Sequence, residues 1–315
     1  MFKAALSGAK TLVASVIRVL LIGCGDVALR AASMLHGRAR LAGLIRRAEE
    51  APRLRARGIT PIVADLDDFD SLRRMAFAPF AVIHCAPPPS DGRDDPRTQK
   101  LIAALTRARI IPQRFVYVST SGVYGDCAGA RVVETRPRRA QTPRAKRRVA
   151  AENRLRAWAA RNGVRLSILR APGIYSEARL PLDRIKQATP VLVPDDDVFT
   201  NHIHADDLAR ATLAAIFHGG AQRAYNVTDD TEMKMGNWFD TVADAFHLPR
   251  PPRVSWDEAE QRIAPMLLSF MSESRRLGNA RAKRELRLRL AHPTPGPMLA
   301  AIAPRQLKKQ LPLSL

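Results

Sequence analysis

The sequence predicts an α/β fold: a doubly wound parallel sheet with a smaller, mainly helical C-terminal cap. Three observations predict it. Short, continuous apolar runs recur through the first half of the chain, with helical stretches between them. A glycine-rich turn, Gly23-Cys24-Gly25, separates the first run from the first helix. Beyond Pro172 the rhythm breaks into a region punctuated by Pro181, Pro190 and Pro194, and then turns mainly helical. A chain of 315 residues with 46% hydrophobic content can bury one large core or two smaller ones.

In chain order, Val16–Ile22 reads as a buried strand interrupted by Arg18, followed by a helix over Asp26–Leu35. Leu41–Ile45 is a second strand and Ala48–Arg57 a charged helix. Ile59–Ala64, Phe80–Cys85, Phe115–Val118 and Val164–Leu169 are four further strands, with Thr98–Arg107 and Ala145–Arg161 as helices among them. Asp206–Phe217 is a helix and Arg223–Val227 another strand, and helical sequence resumes at Trp238. This gives a basic tail at residues 1–16, a nucleotide-type domain over 17–172, and a cap over 173–315. Within the cap, about 198–228 returns to the sheet.

The segment Gly23-Cys24-Gly25-Asp26-Val27-Ala28 matches G-x-G-x-x-A. Its position after a strand and at a helix start gives the pattern its meaning, and the fold reads as Rossmann-type. Gly23 permits the tight turn, Gly25 lets backbone approach a diphosphate, and Ala28 allows close helix–sheet packing; the helix N-terminus favours an anion. A bound dinucleotide follows. At the end of the second strand an acid would bind a ribose 2′-hydroxyl, whereas an arginine accommodates a 2′-phosphate. The chain has Arg46-Arg47 there and no acid before Glu49. NADP is therefore favoured, with NAD as the alternative; two solvated surface arginines are the competing reading.

Further segments resemble, in the expected order, the extended short-chain dehydrogenase/reductase family of epimerases and dehydratases. They are the glycine loop, Asp65-Leu66 after the third strand, the strand and hydroxyl-rich turn Phe115–Gly125, Arg170–Tyr175, and Asn201–Ala209. The run Ser272–Leu277 with Lys283–Leu286 looks like an atypical branch. The resemblance implies a cofactor site formed by Gly23, Cys24, Gly25, Asp26, Val27, Arg46, Arg47, Asp65, Leu66, Cys85, Ala86 and Pro172. It also implies a Tyr and a Lys one helical turn apart, which act as base and pKa-lowering partner. Counting back from Ala150-Ala151-Glu152, those positions hold Arg144 and Arg148, and arginine cannot serve as a general base. None of the four tyrosines, Tyr117, Tyr124, Tyr175 and Tyr225, has a lysine four residues later. Thr120 matches the family's hydroxyl position and is the candidate contact for a substrate carbonyl, or else a turn cap; Tyr124 reads as structural. Arg144 and Arg148 read as a solvated helix face, or as a clamp for an anion.

The remaining motifs are weaker. His202-x-His204 with Asp206 and Asp207 has metal-like spacing, but it matches the family's strand-to-helix junction, where Asp206 or Asp207 would cap the helix; no metal is expected. Arg275, Arg276, Lys283 and Arg284 read as surface charge, or as a basic face toward an anionic substrate. The formal net charge is +21, from 51 Lys+Arg against 30 Asp+Glu, but only nine of the 51 are lysine and the arginines are spread along the chain. With aromatics at 5%, specific nucleic-acid binding is not expected. Three cysteines without a CxxC pair point to a reducing compartment, the cytoplasm. Although Leu21–Cys24 has the look of a lipoprotein cleavage site, cutting there would destroy the glycine loop. No membrane partner is expected; a small anionic or polyhydroxy substrate is, and a homodimer is allowed. The function expected is an oxidoreductase or epimerase-like step with an unusual proton donor, against the alternative of a catalytically silent NADP(H) sensor.

Overall fold

The computed structural model describes residues 16–310; the expected basic tail, Val16 apart, lies outside the described residues. Seven strands form the central sheet: β1 Ile17–Ile22, β2 Ala39–Ile45, β3 Ile59–Val63, β4 Ala81–His84, β5 Arg114–Thr120, β6 Arg165–Ala171 and β7 Arg223–Asn226. Their order is β3-β2-β1-β4-β5-β6-β7, and every pair is parallel. The winding direction reverses between β1 and β4, the point at which such sheets open a crevice at their carboxyl ends.

Alternation along β1 shows why these apolar runs must lie inside. Val19 and Leu21 join one core, with Ala31 and Leu35 around helix α1 (Asp26–Met34) and Leu208 and Ala211 of a later helix. Leu20 and Ile22 join the opposite core, beneath helices α2 (Pro96–Arg107) and α3 (Pro143–Arg161), with Leu101, Leu105, Leu155 and Trp158. A strand buried on both faces reads as a continuous apolar run. The later helix, α4 (Ala205–His218), packs against α1. Residues 205–226 thus return to the sheet as a covering helix and its edge strand.

Some elements differ from expectation. The predicted helix over Ala48–Arg57 is a 3-10 turn, Ala48–Glu50, followed by a short helix, Ala51–Arg55, because Pro52 lacks the N–H that would continue one helix. β5 and β6 run two residues further than predicted, to Thr120 and Ala171. The cap contains strand pairs as well as helices, Gly173–Tyr175 with His202–His204 and Val191–Leu192 with Arg253–Val254, and its Arg276–Leu277 pairs with Arg131–Val132 of the preceding domain. Its core gathers Tyr175, Trp238, Phe239, Phe246, Met298 and Leu299 between helix α5 (Met235–Ala245) and helix α6 (Gly296–Gln310). Among the described residues no helix is long and apolar enough to cross a membrane.

Candidate functional site: a cleft over the glycine loop

Gly23 follows β1 with φ +85°, and a Cβ there would lie 2.5 Å from the Ala86 amide nitrogen. The crowding arises because Cys85 N and Ala86 N both donate to Ile22 O, drawing the ends of β1 and β4 together. Only glycine fits this turn. Gly25 is different: it precedes α1 in an extended conformation, and a Cβ added there would meet nothing within 4 Å. Open space therefore borders the N-terminus of a nine-residue helix, which suits a diphosphate approaching backbone amides. The residues present fit the group that the sequence implies.

This open space belongs to a cleft of about 600 Å³ along the carboxyl ends of the strands, a volume typical of ligand sites. Its walls include Gly23–Ala28, Arg46 after β2, Asp65 and Leu66 after β3, Cys85 and Ala86 after β4, Ser119 and Thr120 of β5, and Pro172 after β6. Arg47, expected at the site, is not among them. Backbone extension at Arg47 sends its side chain away from its neighbour's, 76% exposed, to face Glu50 at 3.6 Å. Burial pushes the Cys24 thiol up to about 11 and Cys85 up to about 12, so both line the cleft as neutral thiols.

At the other end, Thr120 accepts a hydrogen bond from Gly122 N at 3.2 Å, capping the turn Ser121–Tyr124. Ser119 Oγ donates to Glu152 Oε1 at 2.8 Å. Tyr124 is buried; its hydroxyl donates to Asn226 Oδ1 at 2.7 Å and accepts from Arg170 at 2.9 Å. The solvated-face reading of Arg144 and Arg148 is wrong, because α3 presents both to neighbouring elements. The Arg144 guanidinium lies 3.5 Å from the centre of the Phe270 ring and donates to Ser269 Oγ at 2.9 Å, outside the cleft lining. Arg148 lines the cleft and donates to Tyr117 Oη at 3.0 Å and Val118 O at 3.1 Å.

Sequence reasoning missed the network beneath this floor. Glu152, fully buried on α3, accepts from Arg170 at 2.8 and 3.1 Å and from Arg138 at 3.2 Å. The available signal was a lone acid after the apolar pair Ala150-Ala151 and a base, Arg170, following the largely apolar run Leu166–Leu169 of β6. Arg97 and Arg179 also line the cleft without having been foreseen, and Arg97 is held by Asp67 at 2.6 Å.

The histidine cluster is arranged differently from expectation. His204 caps α4, its Nδ1 accepting from Asp206 N at 3.2 Å. Neither aspartate does so: Asp206 accepts from Arg30 at 2.7 Å, and Asp207 accepts from Ala291 N and His292 N. His204, Asp206 and His292 lie within 4.8 Å of one another. The two imidazoles stack at 3.8 Å, however, and the Arg30 cation already occupies the carboxylate. Arg275 donates to Gly125 O and Arg276 to Gly129 O, Lys283 pairs with Asp230, and Arg284 faces Glu285; none lines the cleft.

Comparison with known proteins agrees with this geometry. The chain is 30% identical over 192 residues to the GDP-6-deoxy-D-mannose reductase of Pseudomonas aeruginosa, a match spanning 53% of this chain and 63% of that enzyme. A conserved protein from Silicibacter pomeroyi, described as functionally unknown, superposes with a TM-score of 0.79 at 27% identity, covering 92% of this chain and 99% of that one. RMD from Pseudomonas aeruginosa, complexed with NADPH, gives a TM-score of 0.68 at 21% identity, covering 91% and 98%, a likeness of fold. The NAD dependent epimerase/dehydratase family matches residues 27–228, well over half of the chain, and the protein belongs to that family.

Proposed function

We propose that the protein binds NADP(H) and acts as an oxidoreductase on a small anionic or polyhydroxy substrate. The observation that carries the reading is the open cradle at Gly25, continuous with a cleft that has Arg46 at its ribose end. An NADPH-bound structural neighbour and a curated relative that is a reductase support it. In this reading the amides of Gly23–Val27 hold the diphosphate, Asp65 and Leu66 border the adenine, and Arg46 receives the 2′-phosphate. Cys85, Ala86 and Pro172 shape the nicotinamide end. When bound, the cofactor supplies or accepts a hydride. Thr120 orients the substrate oxygen, and the fixed charge of Arg148 favours negative charge developing there.

Calorimetric titration with NADPH and NADH at fixed salt tests this. Binding of NADPH at least about tenfold tighter than NADH (~1.4 kcal/mol), and weakened by Arg46→Ala, is expected. Binding of neither cofactor overturns the proposal, and equal affinity for both overturns the choice of NADP.

A second reading, a catalytically silent NADP(H) binder, is favoured by one observation: Arg144 is tied to Ser269 and Phe270 where the family places its tyrosine. A carbonyl panel followed by NADPH absorbance separates the two. Turnover that Thr120→Val abolishes while NADPH still binds defeats the silent reading; no turnover across the panel defeats the oxidoreductase.

A further inference from the structure

The loop after strand Gly173–Tyr175 carries Arg179 to the edge of the cleft beside the glycine loop. Arg179 and Asp26 both line the cleft, and Arg179 Nε lies 3.5 Å from Asp26 Oδ2. This is an ion pair without a hydrogen bond: Asp26 Oδ2 has no hydrogen-bond partner although it is buried. Two of the other cleft arginines are committed. Arg97 forks onto Asp67, and Arg148 donates to Tyr117 and Val118. The Arg179 side chain is 44% exposed, and its guanidinium makes no hydrogen bond among the described residues.

Asp26 presents a difficulty for any anion entering at Gly25. Its carboxylate stands on the first residue of α1, where the helix dipole and free amides would otherwise welcome a phosphate. Asp206 and Glu177 add two more carboxylates around Arg30. Arg30 holds Asp26 Oδ1 at 2.7 Å, so Asp26 keeps a strong cationic partner if Arg179 leaves. The exchange therefore strands no carboxylate, and it frees a five-donor cation whose planar shape matches phosphate oxygens.

We infer that Arg179 is a ligand of the cofactor diphosphate, held in waiting beside the glycine loop by Asp26. The inference rests on the dinucleotide reading above and deepens it. On binding, Arg179 turns from Asp26 to the diphosphate and draws the 176–180 loop across the cleft as a strap. Arg46 and Arg179 then serve different groups: the former the 2′-phosphate, the latter the diphosphate common to both nicotinamide cofactors.

Calorimetry on the full chain tests this with NADPH and NADH as probes. Arg179→Ala is expected to weaken both by the same factor, at least about tenfold, with an unchanged melting temperature in the absence of ligand. Arg179→Gln, which keeps length and polarity but removes the charge, must show the same loss, and Arg179→Lys must recover part of it. Affinity within about twofold of wild type for Arg179→Ala overturns the inference while leaving the proposed function standing. A loss confined to NADPH assigns Arg179 to the 2′-phosphate and overturns it too. If the wild-type chain binds neither cofactor, the proposed function fails first and the inference with it.

Discussion

Glu152 is the residue whose removal the structure judges most severely. It is fully buried and accepts four hydrogen bonds: two from Arg170, itself 3% exposed, one from Arg138 and one from Ser119. Glu152→Ala leaves Arg170 charged and buried, with the Tyr124 hydroxyl and Glu134 O as its remaining partners. Breaking a buried pair on one side costs about 3–5 kcal/mol, out of a total stability of about 5–15 kcal/mol. At an unfolding entropy of about 2.1 cal/mol/K per residue, that is a fall in melting temperature of roughly 5–8 °C in a chain of this size. Urea denaturation at pH 7 measures it. Glu152→Gln, which keeps the shape and two polar contacts, should lose less. The double variant Glu152→Leu with Arg170→Met should recover much of the loss, because replacing both charges removes the unpaired cation. A loss below about 1 kcal/mol for Glu152→Ala, or a double variant less stable than the single one, would refute the reasoning.

Gly23→Ala should both destabilise the chain and abolish NADPH binding, since its Cβ must enter the space of the Ala86 backbone at a left-handed φ; wild-type affinity in the variant would contradict this. Asp229 supplies a pH test. Burial raises its carboxyl to about 7, so its stabilising contribution is complete below about 4 and is lost as pH rises through about 7. Asp229→Asn, which keeps an oxygen for Thr231 N, should therefore gain stability at pH 8 but not at pH 4; equal gains at both would contradict it. His84 and His202 act in the opposite direction. Burial lowers each to about 3, so the stability they confer is present above about 6.5 and is lost as pH falls toward 3. Urea midpoints should fall across that window, less steeply where Asp229 opposes them, and a flat acid limb would exclude neutral buried imidazoles.

The sheet was legible because burial on both faces writes itself as uninterrupted apolar sequence, as in Val19–Ile22 and Ala81–Ile83. The glycine loop was legible because a tight turn and an open helix start each demand a small residue at a fixed offset. Side-chain direction was not. Arg46 and Arg47 are indistinguishable in sequence, and only the backbone after β2 turns one into the cleft and the other away. Pairings between distant segments were equally hidden: Glu152 with Arg170, Arg144 with Ser269, and Arg179 with Asp26 join residues with no shared local pattern. The same blindness inflated the apparent surface charge. Several arginines that look solvated in a +21 chain instead hold backbone carbonyls of loops, as Arg275 does at Gly125 O and Arg53 at Cys24 O.

The two arginines on α3 are not equivalent replacements. Under the proposed function, Arg148 stands where the resemblance implies a lysine and keeps a permanent positive charge at the cleft, which would retain the electrostatic part of that chemistry. Arg144, where the resemblance implies a tyrosine, is another matter, because a guanidinium does not give up its proton near neutral pH and this one is turned toward Ser269 and Phe270. Tyr117 cannot take over: it is buried, pushed up to about 12, and already accepts from Arg148. Tyr124 is enclosed by Arg170 and Asn226. Thr120 remains, a half-buried hydroxyl that can pass a proton on only as it receives another. Under the proposed function, the proton that accompanies the hydride must then be exchanged with water through the open cleft, with Thr120 as the contact and Arg148 as the fixed charge. Such a site suits carbonyls that need orientation and electrostatic help more than a strong acid, a narrower range of substrates than a Tyr–Lys pair can serve.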